Sequence, residues 1–548
     1  MHSSLRQSMA WLHTWSGVIV GWVLFFVFVT GTAGYFQYEI TRWMQPERPL
    51  VQKTPSDAVA TERMLGLALD RLEQVAPGAA NWRITLPHES LAPRGWQDFS
   101  IRWEEVPPEG HDFGATGSEQ LDPVSGDLAA AGPEPRDTAG GHGLYRMHYA
   151  LHYVPYTWGY YIVGVCTMLM LLAIVSGVIT HKKIFKDFFT FRPGKGQRSW
   201  LDAHNAVSVM ALPFFLMITY SGLVFFLFTY MPAGRDVLYG SDPQSEEAFY
   251  DELFDRNKVK LAITRPAAKL APLVAKAEGE WGAGSVRSVE VAAFEGQPET
   301  VTVHRVYGGS LDFWNAPHMR FDAQTGEALP PEPRTGGEAG LTQSVLFNLH
   351  EGLFAGVWGR WVYFVAGLLG CAMIGTGLVL WTVKRRKHHL ASGREGAEDL
   401  GVRLVETLNV ATIAGLPLAV AAYFWANRLL PIDLADRGAW EFHSLFAVWL
   451  GALFYALSRP LARAWVELLW GSCAAYALVP VLNALTTDKH LGKTLPAGDW
   501  VLAGFDLTMW GMAALLAMMA VKVQRRLTVP ARPQPVPMAG TALEEGAA

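Results

Sequence analysis

The sequence predicts an all-α polytopic membrane protein with about eight transmembrane helices and two small α+β domains on one side of the membrane. Half of the 548 residues are hydrophobic and only 17% are charged, which is typical of a chain that lies in lipid. Eight stretches without Asp, Glu, Lys or Arg approach or reach the length that crosses about 30 Å of hydrocarbon. Two long hydrophilic segments alternate with the first four stretches, and each is large enough to fold.

The apolar stretches mark the predicted spans. They lie within Gln7–Tyr38, Met147–His181, Ala203–Gly234, Trp361–Val383, Thr407–Asn427, Phe442–Ser458, Leu468–Thr487 and Leu507–Val521. The last stretch is the weakest, and it needs residues beyond Asp506 to cross a membrane. The first is longer than the roughly 7–15 residues of a signal-peptide core, so it predicts a retained helix.

Positive charges predict that both termini are cytoplasmic. Lys and Arg cluster after the second, fourth, sixth and eighth spans, and loops rich in these residues remain in the cytoplasm. The clusters are His181-Lys182-Lys183, Lys384–Lys387, Arg459 with Arg463, and Lys522 with Arg525 and Arg526.

Composition excludes several classes of function. The net charge of −5 provides no basic domain for a nucleic acid. Cys166, Cys371 and Cys473 all lie inside apolar spans and lack CxxC spacing, so neither a disulfide framework nor a zinc site is predicted.

Spans and hydrophilic segments together predict the domain order. It consists of a first span (1–40), a first outer domain (41–145), a second span (146–183), a cytoplasmic loop (184–202), a third span (203–234), a second outer domain (235–342), a fourth span (343–387), a linker (388–402), four further spans (403–526) and a tail (527–548). The tail is rich in Pro and Ala and is predicted to be disordered.

The two outer segments have similar patterns. Ser56–Val75 and Thr264–Glu278 have helical spacing of apolar residues, and each is followed by a strand-like run. Asp122 begins a later turn in the first segment and Asp322 begins the matching turn in the second, each with a Gly that can adopt a positive φ.

The first four spans repeat as well. His13 stands seventeen residues before Thr30-Gly31, as His204 does before Ser221-Gly222; Gly159 stands seventeen before Ser176-Gly177, as Gly359 does before Thr376-Gly377. The sequence therefore predicts a tandem duplication whose halves are related by an axis along the membrane normal. The small Gly, Ser and Thr pairs are interpreted as helix-packing residues.

Histidines at both faces of these spans are the candidate metal ligands. Imidazole is a common haem ligand, and a helical bundle can bring two imidazoles onto one iron. The predicted axial ligands are His152 with His350 on the outer side and His13 with His204 on the inner side, with His148 and His181 as alternatives. A continuous helix over residues 152–181 would rise about 43 Å and link the two layers.

Other roles for these residues stay open. A histidine at a membrane boundary is often an interfacial or capping residue, and imidazole also binds zinc or copper. Arg146, Arg360, Lys182 and Arg198 are candidate contacts for haem propionates, and equally they are candidate topology-setting cations. His443 and His490 lie outside the repeat and are predicted to be structural.

Several of these segments, taken in order, resemble the PepSY-associated transmembrane family, which includes bacterial inner-membrane ferric-siderophore reductases. The similar segments are Leu12–Gly17, Leu151-His152, Ser176-Gly177, His181–Pro193, Trp200–Asn205, Leu349-His350 and the turns at Asp122 and Asp322, within about residues 1–390. The resemblance implies a four-helix core with PepSY-like domains in the periplasm. It also implies two haem b groups bound by histidines, which pass electrons to periplasmic iron(III)-siderophores or other ferric chelates and release iron(II).

The last four spans depart from the family pattern and leave the electron donor open between a quinol and a cytoplasmic flavoprotein. Two rival functions also stay open. One is a haem-free sensor or regulator whose PepSY-like domains bind a peptide or protease, and the other is a transporter for the siderophore or its iron.

Overall fold

The structure, a computed structural model, describes residues 4–50, 57–91, 94–108, 111, 113–129, 132–181, 192, 194–253, 258–308, 310–312, 317–332, 337–391 and 400–528. Lys182, most of the predicted linker and nearly all of the tail predicted to be disordered lie outside these residues.

Helices make up most of the described chain. The first eleven are α1 (Leu5–Gly34), α2 (Gln37–Met44), α3 (Ala58–Val75), α4 (Gly140–Ala150), α5 (Tyr156–Thr180), α6 (Gln197–Met210), α7 (Leu212–Val224), α8 (Leu227–Tyr230), α9 (Ala233–Tyr239), α10 (Pro243–Leu253) and α11 (Leu270–Trp281). The others are α12 (Gly337–Glu351), α13 (Val357–Ala391), α14 (Leu400–Asn409), α15 (Gly415–Leu429), α16 (Arg437–Ser458), α17 (Leu461–Thr486), α18 (Leu491–Thr494) and α19 (Trp500–Thr528). A π-helical turn at Val410–Ala414 joins α14 to α15.

Seven helical segments of the described chain are long and apolar enough to cross a membrane: α1, α5, α13, α14 with α15, α16, α17 and α19. The pair α6 and α7, which bends by 67° around Ala211, makes an eighth if it counts as one span. Pro213 in the first turn of α7 has no N–H to continue the α6 hydrogen-bond ladder, which accounts for the break. The predicted multi-pass membrane protein is confirmed.

Both ends of the described chain lie on one side of the bundle, which we call the terminal side. Arg6 in α1 donates a hydrogen bond to the carbonyl of Thr180 at the end of α5 (2.9 Å). Near the end of α19, the Arg526 guanidinium lies 5.5 Å from the ring centre of Trp200 in α6. A β-sheet lies at the opposite end, which we call the sheet side.

A short separate helix precedes the second and fourth spans. α4 ends at Ala150 and α5 begins at Tyr156, and between them Leu151 and Tyr153 both have a φ of 59°. Non-glycine residues with positive φ cannot continue a right-handed helix. A helix that is continuous over residues 152–181 is therefore contradicted at its start. Between α12 and α13 the residue with a positive φ is a glycine, Gly352 (63°).

The two hydrophilic segments share one antiparallel sheet instead of forming two separate sheets. Its strands are β1 (Asn81–Thr85), β4 (Ser100–Glu104), β5 (Thr116–Gln120), β6 (Lys260–Leu261), β7 (Val286–Phe294), β8 (Thr300–Arg305) and β9 (His318–Asp322), and β2 (His88–Leu91) forms a separate hairpin with β3 (Arg94–Gln97). The order is β5-β4-β1-β7-β8-β9, with β6 also on β7. β1 of the first segment pairs with β7 of the second, with Ile84 opposite Val289, so each segment covers a strand edge of the other.

The two predicted turns are present and equivalent. The Asp122 carboxylate accepts hydrogen bonds from the N–H groups of Val124 and Ser125, both at 2.8 Å, and Asp322 makes the same contacts with the two residues that follow Ala323. Gly126 and Gly326 have φ values of 76° and 74°, as this type of turn requires. Hydrogen bonds from these backbone N–H groups lower the pKa of both Asp carboxyls.

The last four spans pack against the first helix of the chain. The indole ring of Trp449 in α16 stacks on Phe26 in α1 with ring centres 5.3 Å apart. Trp22 of α1 donates a hydrogen bond to the Asn409 side chain at the end of α14 (2.9 Å). These helices form one continuous apolar core with α1 and α13.

Candidate functional site

Four of the predicted histidines form two pairs, one near each side of the bundle. The ring centres of His13 in α1 and His204 in α6 are 6.2 Å apart, with an angle of 60° between the ring planes. The rings of His148 in α4 and His350 in α12 are 6.0 Å apart and are inclined at 37°. We call these the terminal-side pair and the sheet-side pair.

Each of the four imidazoles makes the same backbone contact with a neighbouring helix. The Nδ1 atom of His13 lies 2.7 Å from the carbonyl of Ala173, that of His148 lies 2.8 Å from Val27, that of His204 lies 3.0 Å from Met373, and that of His350 lies 3.0 Å from Ile218. A carbonyl can only accept a hydrogen bond, so Nδ1 carries the proton in every case. The lone pair of the neutral ring is then on Nε2.

A Ser or Thr hydroxyl supports each of these carbonyls. Three residues after the residue that provides each carbonyl, a hydroxyl side chain donates a hydrogen bond to the same oxygen. The four donors are Thr30, Ser176, Ser221 and Thr376, at 3.0–3.4 Å. Two of the hydroxyls also lie beside the ring: Ser221 is 3.2 Å from Nδ1 of His350, and Thr376 is 3.3 Å from Nδ1 of His204.

A glycine follows each of these hydroxyl residues and leaves room for the imidazole. A Cβ at Gly31 would lie 2.4 Å from Nδ1 of His148, and one at Gly222 would lie 2.9 Å from Cε1 of His350. The corresponding distances to Cε1 are 3.0 Å from Gly177 to His13 and 3.2 Å from Gly377 to His204. The repeated Gly-containing pairs, which the sequence suggested for helix packing, thus contact the histidines directly.

These contacts bring two neutral imidazoles together in each pair, and the four rings are candidate metal ligands. Among the described residues, no group of three or more His, Cys, Asp and Glu side chains is arranged to hold a metal ion. A metal that takes four ligands from a planar macrocycle needs only two more from the protein, which is the number that each pair provides.

Comparison with known families supports the resemblance seen in the sequence. The family described as the PepSY-associated TM region matches residues 10–384. The chain belongs to this family. No curated protein matches it. The matched region of this PepSY-associated chain includes both histidine pairs and the sheet, and it ends within α13 before the last four spans.

His152, the first choice for the outer ligand, lies apart from His350 in the PepSY-associated fold. It follows the end of α4, where its ring stacks on Phe446 of α16 at 5.3 Å and lies 4.5 Å from Phe442. The structure brings His148, the alternative, to His350 instead. A change of backbone direction at Leu151 explains the difference, because it turns His152 away from the face of α4 that carries His148.

His181, the alternative inner ligand, is not paired with another imidazole among the described residues. Its Nε2 atom accepts a hydrogen bond from the side-chain amide of Asn205 (2.9 Å), next to His204. His443, which was expected to be structural, contacts Tyr153 through a hydrogen bond and a stacked ring, 5.8 Å between centres. His490 caps the short helix α18 by accepting from the N–H of Gly492 (3.2 Å).

Two of the three described candidate cations are exposed, and the third is buried in an ion pair. Arg146 in α4 and Arg198 in α6 are exposed. Arg360 in α13 is only 6% exposed and pairs with Glu39 of α2. A haem propionate at Arg360 would therefore compete with a carboxylate that is already present.

Proposed function

We propose that the chain is a transmembrane oxidoreductase that holds two haem b groups and reduces iron(III)-siderophores or other ferric chelates on the periplasmic side, releasing iron(II). The sheet side would face the periplasm and both termini would lie in the cytoplasm of a bacterium, in its inner membrane. Clusters of Lys and Arg on the terminal side support this orientation.

The spacing of the imidazoles is the observation that carries the proposal. A metal–imidazole bond is about 2.0–2.1 Å long and the ring centre lies about 1 Å beyond the nitrogen, so two imidazoles can share one metal only if their ring centres are at most about 6 Å apart. The two pairs have centres 6.2 and 6.0 Å apart. We therefore propose that His13 with His204, and His148 with His350, would hold the two haem irons, with His148 in the place expected for His152.

The hydrogen bonds of the four rings suit ligation. A metal-binding histidine usually donates its other ring N–H to a carbonyl or carboxylate, which fixes the tautomer and raises the basicity of the ligating nitrogen. All four Nδ1 atoms donate in this way to backbone carbonyls. Because the acceptors belong to rigid helices, the orientation of each ring is set before any metal binds.

Bound haem would supply one-electron chemistry, and the protein would supply orientation and a dry interior. Between the two pairs, α1, α5 and α7 pack a core that includes Leu24, Met170 and the fully buried Phe215. Such a core excludes water between the two layers of histidines. It would keep an electron that crosses the membrane away from solvent.

An absorption spectrum of the purified protein tests the proposal. After expression with sufficient haem, dithionite should produce the Soret and α bands of a reduced b-type haem. Addition of a ferric chelate should then oxidise the haem and restore its oxidised spectrum. An iron(II) indicator in the same sample should develop colour as iron(II) is released. A protein that folds but shows no haem band would contradict the proposal and favour a haem-free regulator or a transporter.

A further inference from the structure

A large cavity lies between the part of the chain that matches the family and the last four spans. α13 provides one wall, which includes Leu368 and Val379, and α17 and α19 provide another. The volume is about 2200 Å³, whereas pockets for drug-sized molecules measure about 300–1,000 Å³. The lining includes Trp500 and Arg526, near opposite ends of α19 and about 39 Å apart at 1.5 Å per residue. The cavity therefore extends through the thickness of a membrane.

One face of α19 lines the cavity with an apolar stripe that ends in two cations. The stripe consists of Met512, Leu515, Leu516, Met519 and Val523, and the cations are Lys522 and Arg526. Residues three or four positions apart lie on the same face of a helix, so the cations continue the stripe toward the terminal side. Methionine side chains are flexible and adapt to apolar partners of irregular shape. This face therefore suits flexible hydrocarbon chains that end in an anionic group.

Positive charge at the terminal-side end of the cavity is not balanced within the described chain. Arg386 lines this end together with Lys522 and Arg526, and Glu406 is the one acid among the described residues that line it. Glu406 pairs with Arg386 at 2.6 Å. Neither Lys522 nor Arg526 forms an ion pair with a described residue. Like charges four positions apart on a helix repel each other, so an anion between these two side chains would stabilise them.

The sheet-side end of the cavity has no such excess of positive charge. Its described lining carries three charges of each sign: Arg42, Arg48 and Arg360 with Glu39, Glu89 and Asp98. Arg360 pairs with Glu39. Arg42 pairs with Asp499 (3.5 Å). An anion at this end would be repelled by the carboxylates as well as attracted by the arginines, so an anionic group is favoured at the terminal-side end.

Two indole rings line the cavity at the same end as the unpaired cations. They belong to Trp200 in α6 and Trp465 in α17, and the Arg526 guanidinium lies 5.5 Å from the ring centre of Trp200. Tryptophan is enriched at the level of the lipid head groups. In the orientation proposed above, this end faces the cytoplasm, and basic pockets between transmembrane helices on that side suit anionic lipid head groups.

From these observations we infer that the cavity binds an anionic phospholipid from the terminal-side leaflet. Its phosphate lies between Lys522 and Arg526, and its acyl chains lie along the apolar stripe of α19. The lipid joins α13, which the family match reaches, to α17 and α19, which lie beyond the match. None of the four paired histidines lines the cavity, so this site is independent of the proposed haem groups.

Lipid selectivity of the full-length protein in detergent tests the inference. Delipidated protein is incubated with equal amounts of phosphatidylglycerol and phosphatidylcholine that carry the same acyl chains, and bound lipid is extracted after gel filtration. About one phosphatidylglycerol should remain per chain, in at least about tenfold excess over phosphatidylcholine, because two cations favour the anionic head group. Equal retention of the two lipids, or retention no higher than in protein-free micelles, would overturn the inference.

Two charge-matched double variants locate the head group. Lys522→Gln combined with Arg526→Gln should retain the two lipids equally. Lys384→Gln combined with Arg463→Gln removes the same number of charges from exposed terminal-side residues that do not line the cavity, and it should keep the preference of the wild type. A preference that is lost in both double variants, or kept in both, would overturn the site.

Two neighbouring methionines in α19 test whether the acyl chains occupy the cavity. Met519 lines it, whereas Met518 is 63% exposed and does not. Met519→Trp fills space along the apolar stripe and should remove more than half of the bound phosphatidylglycerol, and Met518→Trp should retain all of it. A single symmetric gel-filtration peak checks that both variants fold. Equal retention by the two variants would show that the cations bind lipid outside the cavity, which would overturn the inference.

Discussion

The imidazole of His148 packs so closely on Gly31 that a Cβ at this glycine would lie 2.4 Å from the Nδ1 atom of the ring. Gly31 is one residue after Thr30, whose hydroxyl donates to the carbonyl that also accepts from His148. Equivalent glycines contact the other three paired histidines. A side chain at Gly31 or at Gly222 would therefore require the facing ring to move, and one at either of the other two glycines would press on its ring.

Gly31→Ala is expected to displace the His148 ring and reduce the haem content of the purified protein from about two per chain to about one. Overpacking of this kind typically costs about 1–3 kcal/mol, so the protein should still fold. Gly17→Ala in the same helix is the control, because a Cβ there meets nothing within 4 Å. Haem is measured as the pyridine complex against protein concentration. Unchanged haem in Gly31→Ala, or an equal loss in both variants, would contradict the assignment.

Glu441→Ala is expected to destabilise the contact between the last four spans and the rest of the chain. Glu441 and Arg437 in α16 form an ion pair at 2.8 Å with no exposed surface, and Glu441 also accepts from Thr138, which precedes α4. Removal of one partner of a buried ion pair costs about 3–5 kcal/mol, because the other charge is left uncompensated. The midpoint of thermal unfolding in detergent should fall by several degrees.

Glu467→Ala is the matched control for that substitution. Glu467 also pairs with an arginine, Arg459 at 3.2 Å, but both side chains are more than one third exposed. Solvent screens such a pair, so its loss should leave the unfolding midpoint nearly unchanged. A similar decrease of the unfolding midpoint in both variants would show that the buried Arg437–Glu441 pair contributes no more to stability than the exposed pair does.

Stability of the sheet is expected to fall in acid because of Glu290 in β7. Burial opposes ionisation of this carboxyl, but a hydrogen bond from His304 and the charge of Arg83 outweigh it and hold the pKa of Glu290 well below its ordinary value. A carboxyl whose pKa is lower in the folded state stabilises the fold above its unfolded pKa of about 4.3, and this stabilisation is lost as the pH falls.

Thermal unfolding followed by tryptophan fluorescence at pH 7 and at pH 3.5 measures this effect, since Trp82 lies buried in the adjacent strand β1. Glu290→Gln should lose stability at pH 7 and show a smaller decrease between the two pH values. Glu295→Gln, in the exposed turn after β7, should behave as the wild type does. A pH dependence that is the same in all three proteins would show that Glu290 is not responsible.

Hydropathy predicted the membrane body well because burial in lipid requires long uncharged runs, whatever the tertiary fold. Each predicted span overlaps a helix that is long and apolar enough to cross a membrane, or the bent α6–α7 pair. Sequence did not reveal the shared sheet, since β1 and β7 each have the pattern of an ordinary strand and nothing local identifies the partner. The tandem duplication stays a prediction, and the fourfold contact of histidine, carbonyl and glycine is a further reason for it.

The histidine pairs could be predicted only in part. Recurrence in the sequence pointed to His13, His204 and His350. The shared Leu-His dipeptide pointed to His152 as the partner of His350, whereas the ring beside His350 in the structure is that of His148. The positive φ values of Leu151 and Tyr153 shift the register between α4 and α5, and no residue preference indicates them. The four glycines offered a sequence pattern from which these contacts could have been predicted. Each glycine follows a Ser or Thr, and the four pairs stand at equivalent places in the repeated spans.

Haem content of the His148→Ala and His152→Ala variants decides which of these two histidines binds haem with His350. Both residues lie near the sheet side, four positions apart, and only His148 lies beside His350. We expect about two haem groups per chain in the wild type and in His152→Ala, and about one in His148→Ala. Two haem groups retained in His148→Ala, or one lost in His152→Ala, would contradict this expectation.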